Sequence, residues 1–300
     1  MHFTKMQGLG NDYIYLDCLT DPAAFPEDPA ALAARLADRH FGIGGDGLVL
    51  ILPSNSADCR MRMFNADGSE GKMCGNAIRC VGKYVRDHGI IDKTSLTVET
   101  AAGIRELTLF PGGDGKVESV RVDMGTARLT RLPSLRGNAS VTIPAAVFEP
   151  FYENPPVTIP CDAALPKTIR KCTAHAVLVD VGNPHAVLFT DAEISNLSLD
   201  ILGPILESLP AFGERVNVEF VCRTAPTELD MRVYERGSGE TLACGTGACA
   251  VCAAAVHLGL CPPDTPLSVS LRGGILTVTV SASLAVTMTG PAVTVFEGDV

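Results

Sequence analysis

Two cysteines open two similar segments, Cys74-Gly75-Asn76 and Cys244-Gly245-Thr246-Gly247, 170 positions apart. Residues of helical spacing follow each one, so each thiol falls at a helix start, where unpaired backbone amides and the positive end of the dipole favour a thiolate. Gly75, Asn76, Gly245 and Thr246 leave those amides uncovered, and the natural anion for such a place is a carboxylate. A thiolate and a thiol on opposite sides of one carbon form the minimum device for inverting a stereocentre. One removes the proton and the other delivers a proton to the opposite face. Positioned acid–base groups contribute about 10²–10⁴-fold each, and amide donors aimed at a developing enolate about 10²–10³-fold. This chemistry asks for no metal and no cofactor, and the two thiols titrate as a coupled pair.

Other landmarks recur at nearly the same offset. Phe64 falls against Tyr234, Asn65 against Glu235 and Glu70 against Glu240, while Gly10-Asn11 matches Gly182-Asn183 and Gly103-Ile104 matches Gly274-Ile275. Landmarks in one order at one spacing argue for duplication of a unit of roughly 130 to 170 residues. The expected fold is α+β: two pseudo-symmetric domains, each a mostly antiparallel sheet or barrel wrapped around a central helix headed by a cysteine. Residues 1–125 form the first half, with the tail 288–300 returning to it, and residues 126–287 form the second.

The spacing of apolar residues predicts helices over 28–40, 76–87, 199–209 and 246–258. Residues 247–256 are almost all Ala, Cys, Val and Gly, and a helix that is small and apolar all round must be enclosed. Residues 42–47 read as a tight glycine turn, superficially like a phosphate loop but without its Gly-Lys-Ser/Thr ending. Gly182-Asn183-Pro184-His185 reads as a turn before a strand at 186–189. The Pro-rich stretch 131–171 has little periodicity and is expected to carry the crossing between the halves.

Composition narrows the field. Of 300 residues, 46 % are hydrophobic and 19 % charged, a globular balance, and the net charge of −10 without any basic run excludes nucleic acid and anionic membrane as partners. The N-terminus lacks an apolar signal core and no run reaches the roughly 18 apolar residues of a membrane span, so a cytoplasmic location is expected. Eleven cysteines, an odd number, do not make a disulfide framework. Cys18, Cys59, Cys80, Cys161, Cys172, Cys222 and Cys261 are read as structural. Cys249-Ala250-Val251-Cys252 has a metal- or redox-like spacing, but its alanine-rich helix favours core packing. His40 and His257 read as helix-end residues.

The wider motifs carry a resemblance. Cys74-Gly75-Asn76-Ala77-Ile78-Arg79-Cys80, Gly182-Asn183-Pro184-His185, Arg215-Val216-Asn217, Glu235-Arg236-Gly237-Ser238-Gly239-Glu240-Thr241 and Ala243-Cys244-Gly245-Thr246-Gly247-Ala248 occur in this order. With Phe3-Thr4-Lys5-Met6-Gln7-Gly8-Leu9-Gly10-Asn11-Asp12 and Phe41-Gly42-Ile43-Gly44, the chain resembles the diaminopimelate epimerase family from residue 3 to the 290–298 tail. The resemblance implies an enzyme without pyridoxal phosphate that interconverts LL- and meso-2,6-diaminopimelate on the lysine and peptidoglycan route, with its site in the cleft between two α+β domains. By position, Cys74 and Cys244 are the base and acid, exchanging roles with direction. The amides of Gly75, Asn76, Gly245 and Thr246 hold the reacting carboxylate. Asn11, Asn65, Asn183 and Asn217 bind polar groups of the substrate, Arg236 grips the distal carboxylate with Glu235 beside it, and His185 stands near one thiol. Many members carry Gln where this chain has Gly47, which leaves the backbone there and Asp46 in support. A homodimer is compatible with the sequence, which does not fix the oligomeric state. An epimerase or racemase of histidine or proline type is the nearest alternative, and a thiol redox or zinc-binding protein a more distant one.

Overall fold

Alternating runs such as Ser95-Leu96-Thr97-Val98-Glu99-Thr100, with Leu96, Val98 and Thr100 turned inward, form strands buried on one face. The computed structural model describes residues 1–129, 140–143, 174–190, 194–209, 212 and 215–300. Most of the Pro-rich stretch 131–171, together with Cys161 and Cys172, lies outside the described residues. Along the chain the elements are β1 (His2–Gly8), β2 (Asn11–Asp17), α1 (Pro29–Ala37), β3 (Gly47–Leu52), β4 (Cys59–Asn65), β5 (Glu70–Gly71), α2 (Gly75–Asp87), β6 (Ser95–Thr100), β7 (Gly103–Pro111) and β8 (Val117–Thr126). There follow β9 (Arg128–Leu129), β10 (Ser140–Ile143), β11 (Ala174–Asp180), β12 (Pro184–Phe189), α3 (Leu199–Glu207), β13 (Asn217–Ala225), β14 (Glu228–Glu235) and β15 (Gly239–Glu240). The chain closes with α4 (Gly245–His257), β16 (Pro266–Leu271), β17 (Gly274–Val280), β18 (Ala285–Pro291) and β19 (Val293–Asp299).

The chain divides into two compact units, Met1–Met124 with Thr287–Val300, and Gly125–Val286. In the first, β1 pairs antiparallel with β19 and with β2, then β2–β3 is parallel, β3–β4 antiparallel, β4–β6 parallel, and β6–β7 and β7–β8 antiparallel. The second repeats the scheme: β11–β12 antiparallel, β12–β13 parallel, β13–β14 antiparallel, β14–β16 parallel and β16–β17 antiparallel. Even the two-residue strands correspond, with β5 on β4 and β15 on β14. A bidentate ion pair clasps each of these hairpins. Arg62 Nε and Nη2 donate to Glu70 at 2.7 and 2.9 Å, and Arg232 Nε and Nη2 to Glu240 at 2.8 and 3.0 Å. The mostly antiparallel, duplicated α+β architecture expected from the sequence is present.

Each unit encloses one cysteine-headed helix. α2 packs against β1, β2, β7 and β19, and even its Arg79 is wholly buried, its guanidinium donating to the carbonyls of Gly75 and Pro291. Backbone oxygens there offset the desolvation of the charge. α4 packs against β11, β12, β13 and β17, and Ala248 through Ala255 are all buried. Small side chains let four strands approach one helix at once. Cys249 and Cys252 lie wholly inside this packing.

Several boundaries differ from the sequence expectation, α3 ending at Glu207 rather than 209 among them. α1 stops at Ala37 rather than 40, because Asp38 leaves helical geometry and its carboxylate takes the amides of His40 and Phe41. Gly47 is the first residue of β3, paired with Tyr13 and Asn65, not the end of a turn. Pro184 and His185 likewise lie inside β12. Proline is tolerated as a first strand residue, where its missing N–H leaves no gap in the ladder.

Candidate active site

In the first unit Cys74 is the N-cap of α2, in extended conformation, and Ala77 N lies 3.5 Å from its sulfur. The thiol also faces Asn11 Oδ1 at 3.3 Å. That amide is oriented from behind, since Asn11 Nδ2 donates to Asp46 Oδ2 at 2.6 Å. Asp46 in turn belongs to a charged group with Lys5, Asp12 and Arg39. Burial raises the Asp46 carboxyl, reinforced by the Asp12 charge. Burial would raise Asp12 as well, but hydrogen bonds from Arg39 and Lys5 outweigh it and hold Asp12 below the usual carboxylate range. Asn65 ends β4, its Nδ2 donating to Ser69 Oγ at 2.9 Å. Gly75 and Asn76 are buried in the first turn of α2.

Gly47 adopts φ +157, and a Cβ there would lie 1.9 Å from Phe64 O. No side chain fits this backbone, so the position contributes main chain alone.

In the second unit Cys244 caps α4 in the same way, with Gly247 N 3.3 Å from its sulfur and the Thr246 hydroxyl at 3.4 Å. Burial pushes the Cys244 thiol well above its ordinary value, and the charges of Glu235 and Glu219 add to this, against the pull of Thr246 and the Gly247 amide. Glu235 is raised chiefly by its own burial, while hydrogen bonds from Thr241 and Cys244 act in the other direction. Asn217 Oδ1 accepts the backbone amide of Arg236 at 2.8 Å, and Glu207 Oε1 accepts that of Gly237 at 2.9 Å, so the Arg236 turn is held at two points. His185 sits between Glu219 and Asn183, 2.6 Å from the first and 3.0 Å from the second.

The structure thus gathers Asn11 and Cys74 in one unit, and Asn183, His185, Asn217, Glu235, Arg236, Cys244 and Thr246 in the other. Glu219 and Asp46 were not among the residues the sequence singled out to touch the chemistry. In Asn217-Val218-Glu219-Phe220-Val221 polar and apolar residues alternate as on a solvent-facing strand, and only the burial of both faces of β13 reveals Glu219 as interior.

Comparison with known proteins gives one consistent result. A family model described as diaminopimelate epimerase matches residues 3–130 and 177–295. The chain is 48 % identical over 301 residues to a diaminopimelate epimerase of Acetivibrio thermocellus, covering 100 % of this chain and 98 % of that one. It is 47 % identical over 309 residues to one of Desulfovibrio desulfuricans, again covering 100 % and 98 %. In fold it is similar to a phenazine biosynthesis protein of the PhzF family from Bacillus anthracis, with TM-score 0.68, 17 % identity, and 100 % and 98 % of the two chains covered. A probable proline racemase of Agrobacterium radiobacter, with bound carbonate, gives TM-score 0.67 at 18 % identity over 100 % and 92 %.

Proposed function

The chain belongs to the diaminopimelate epimerase family, and from that premise we propose that it interconverts LL- and meso-2,6-diaminopimelate by a two-thiol proton exchange, without pyridoxal phosphate. The observation that supports this most directly is the pair of helix-capping cysteines, Cys74 and Cys244, each with an amide of its own first turn directed at sulfur. One sulfur, as thiolate, takes the α-proton and becomes a thiol. The negative charge left on the α-carbon spreads into the α-carboxylate, where the amides of Gly75, Asn76, Gly245 and Thr246 stabilise it. The other thiol gives its proton to the opposite face and is left as thiolate. The enzyme therefore ends each turnover with the two charges exchanged, ready for the reverse reaction.

The remaining residues hold the second amino-acid head. The planar fork of Arg236 suits the distal carboxylate, and its turn is steadied by Asn217 and Glu207. Asn11, Asn65 and Asn183 offer donors and acceptors without adding charge to a zwitterion, and Glu235 receives an amino group. A site built to pair a second head rejects an amino acid without one, because its polar groups would stay unpaired. The reduced cytoplasm is the proposed place of action, since two catalytic thiols must remain unoxidised.

Proton NMR in D₂O, with reduced protein free of added cofactor and LL-diaminopimelate, tests the reading. Deuterium should enter at one α-carbon as the meso isomer appears. Exchange with proline or histidine in its place would keep the two-thiol chemistry and discard the substrate.

A further inference from the structure

Glu219 is the third residue of β13 and is wholly buried. Its Oε1 is 2.6 Å from His185 Nδ1, with both side chains shut off from solvent. Its Oε2 is buried without a hydrogen-bond partner among the described residues. On the far side of the ring, His185 Nε2 lies 3.0 Å from Asn183 Oδ1. The carboxylate also abuts the first turn of α4, where a Cβ on Gly247 would come within 2.9 Å of Oε1. A buried carboxylate with one oxygen unsatisfied costs stability that apolar packing would not.

The first unit displays that apolar alternative. In it Val49 stands beside Tyr15 and across from Met63, as Glu219 stands beside Val187 and across from Val233. Val49 is wholly buried. The architecture therefore closes around valine at this place, and the carboxylate in the second unit answers to something other than packing.

We propose that Glu219 is a positioning residue: by accepting from His185 Nδ1–H it fixes the tilt of the ring and leaves Nε2 an acceptor, so that the neighbouring Asn183 carboxamide turns its N–H₂ to the ring and is held in the orientation that receives substrate. An acceptor on one ring nitrogen sets both the tautomer and the tilt of an imidazole, and so what its other nitrogen can hold. The inference rests on the substrate-binding role given above to Asn183.

The test compares Glu219→Val and Glu219→Gln with the unaltered protein. The valine variant should fold with an unchanged or higher thermal midpoint, while KM for diaminopimelate rises at least about tenfold, the effect of losing one charge-assisted hydrogen bond, and kcat changes less. Glutamine, which still accepts from Nδ1–H, should return most of the KM. Independently of turnover, ¹⁵N-labelled protein should show a downfield His185 Nδ1–H resonance that valine abolishes and glutamine keeps, with the Asn183 side-chain amide signals moving in step. Unmoved Asn183 signals together with an unchanged KM in Glu219→Val would overturn the proposal. If the unaltered protein failed to epimerise diaminopimelate while the Asn183 signals still moved, the assigned substrate would fall and the Glu219–His185–Asn183 coupling would stand.

Discussion

At Cys244, burial and two neighbouring carboxylates work against the thiolate that the helix start favours, whereas Cys74 faces the neutral amide oxygen of Asn11. The two sulfurs share a backbone setting and differ in the side chains brought to it. Replacing either by serine, a far weaker acid, should lower epimerisation by at least about 10²–10⁴-fold with the far-UV circular dichroism unchanged. Wild-type turnover in Cys244→Ser or Cys74→Ser would remove the two-thiol mechanism. The cysteines were legible in the sequence because each stands before glycine at the same place in a repeat. Glu219 was not, because Asn217 and Glu219 alternating with apolar residues ordinarily read as a face turned to solvent, whereas β13 is covered on both faces there. Nor could Asp46 be assigned its contact to Asn11, which depends on β2 and β3 lying side by side.

Among the elements, helices were the most legible, with α2 and α4 starting within one residue of expectation since a capping cysteine followed by glycine marks each start. The hairpins β4–β5 and β14–β15 escaped notice, two residues being too few to show alternation. Their Arg–Glu clasps depend on cross-strand neighbours that only the register reveals. Register also governs Gly47. A glutamine at this position would place a Cβ against Phe64 O, and either β3 or β4 must shift to admit it. Gly47→Gln should therefore destabilise the protein by at least the roughly 1–3 kcal/mol typical of overpacking, seen as a lower urea midpoint at unchanged slope. A midpoint equal to that of the unaltered protein would mean that the backbone yields freely at this point.

For the molecule as a whole, buried thiols tie stability to alkaline pH. Burial raises Cys59 from an ordinary 9.0 to about 12, and pushes Cys252 well above the same starting value. In the folded chain these groups stay protonated, while in the unfolded chain they ionise near 9.0. Their stabilisation is complete below that value and is lost as pH rises toward the folded values, each fully titrating thiol removing about 1.4 kcal/mol per pH unit. The thermal midpoint should fall between pH 9 and 11 in the presence of reductant, and a flat profile would show that these thiols remain accessible to hydroxide. Duplication was legible at this scale from spacing alone, whereas the matching sequence of parallel and antiparallel pairings was not, since no residue pattern encodes strand neighbours. The pairing of β1 with β19 carries a consequence for synthesis on the ribosome. β1 finds its outer neighbour only when β19 emerges, after residues 125–286 have been translated. Until then a nascent chain displays β1 as an open edge, the kind of surface on which strands from other chains can add.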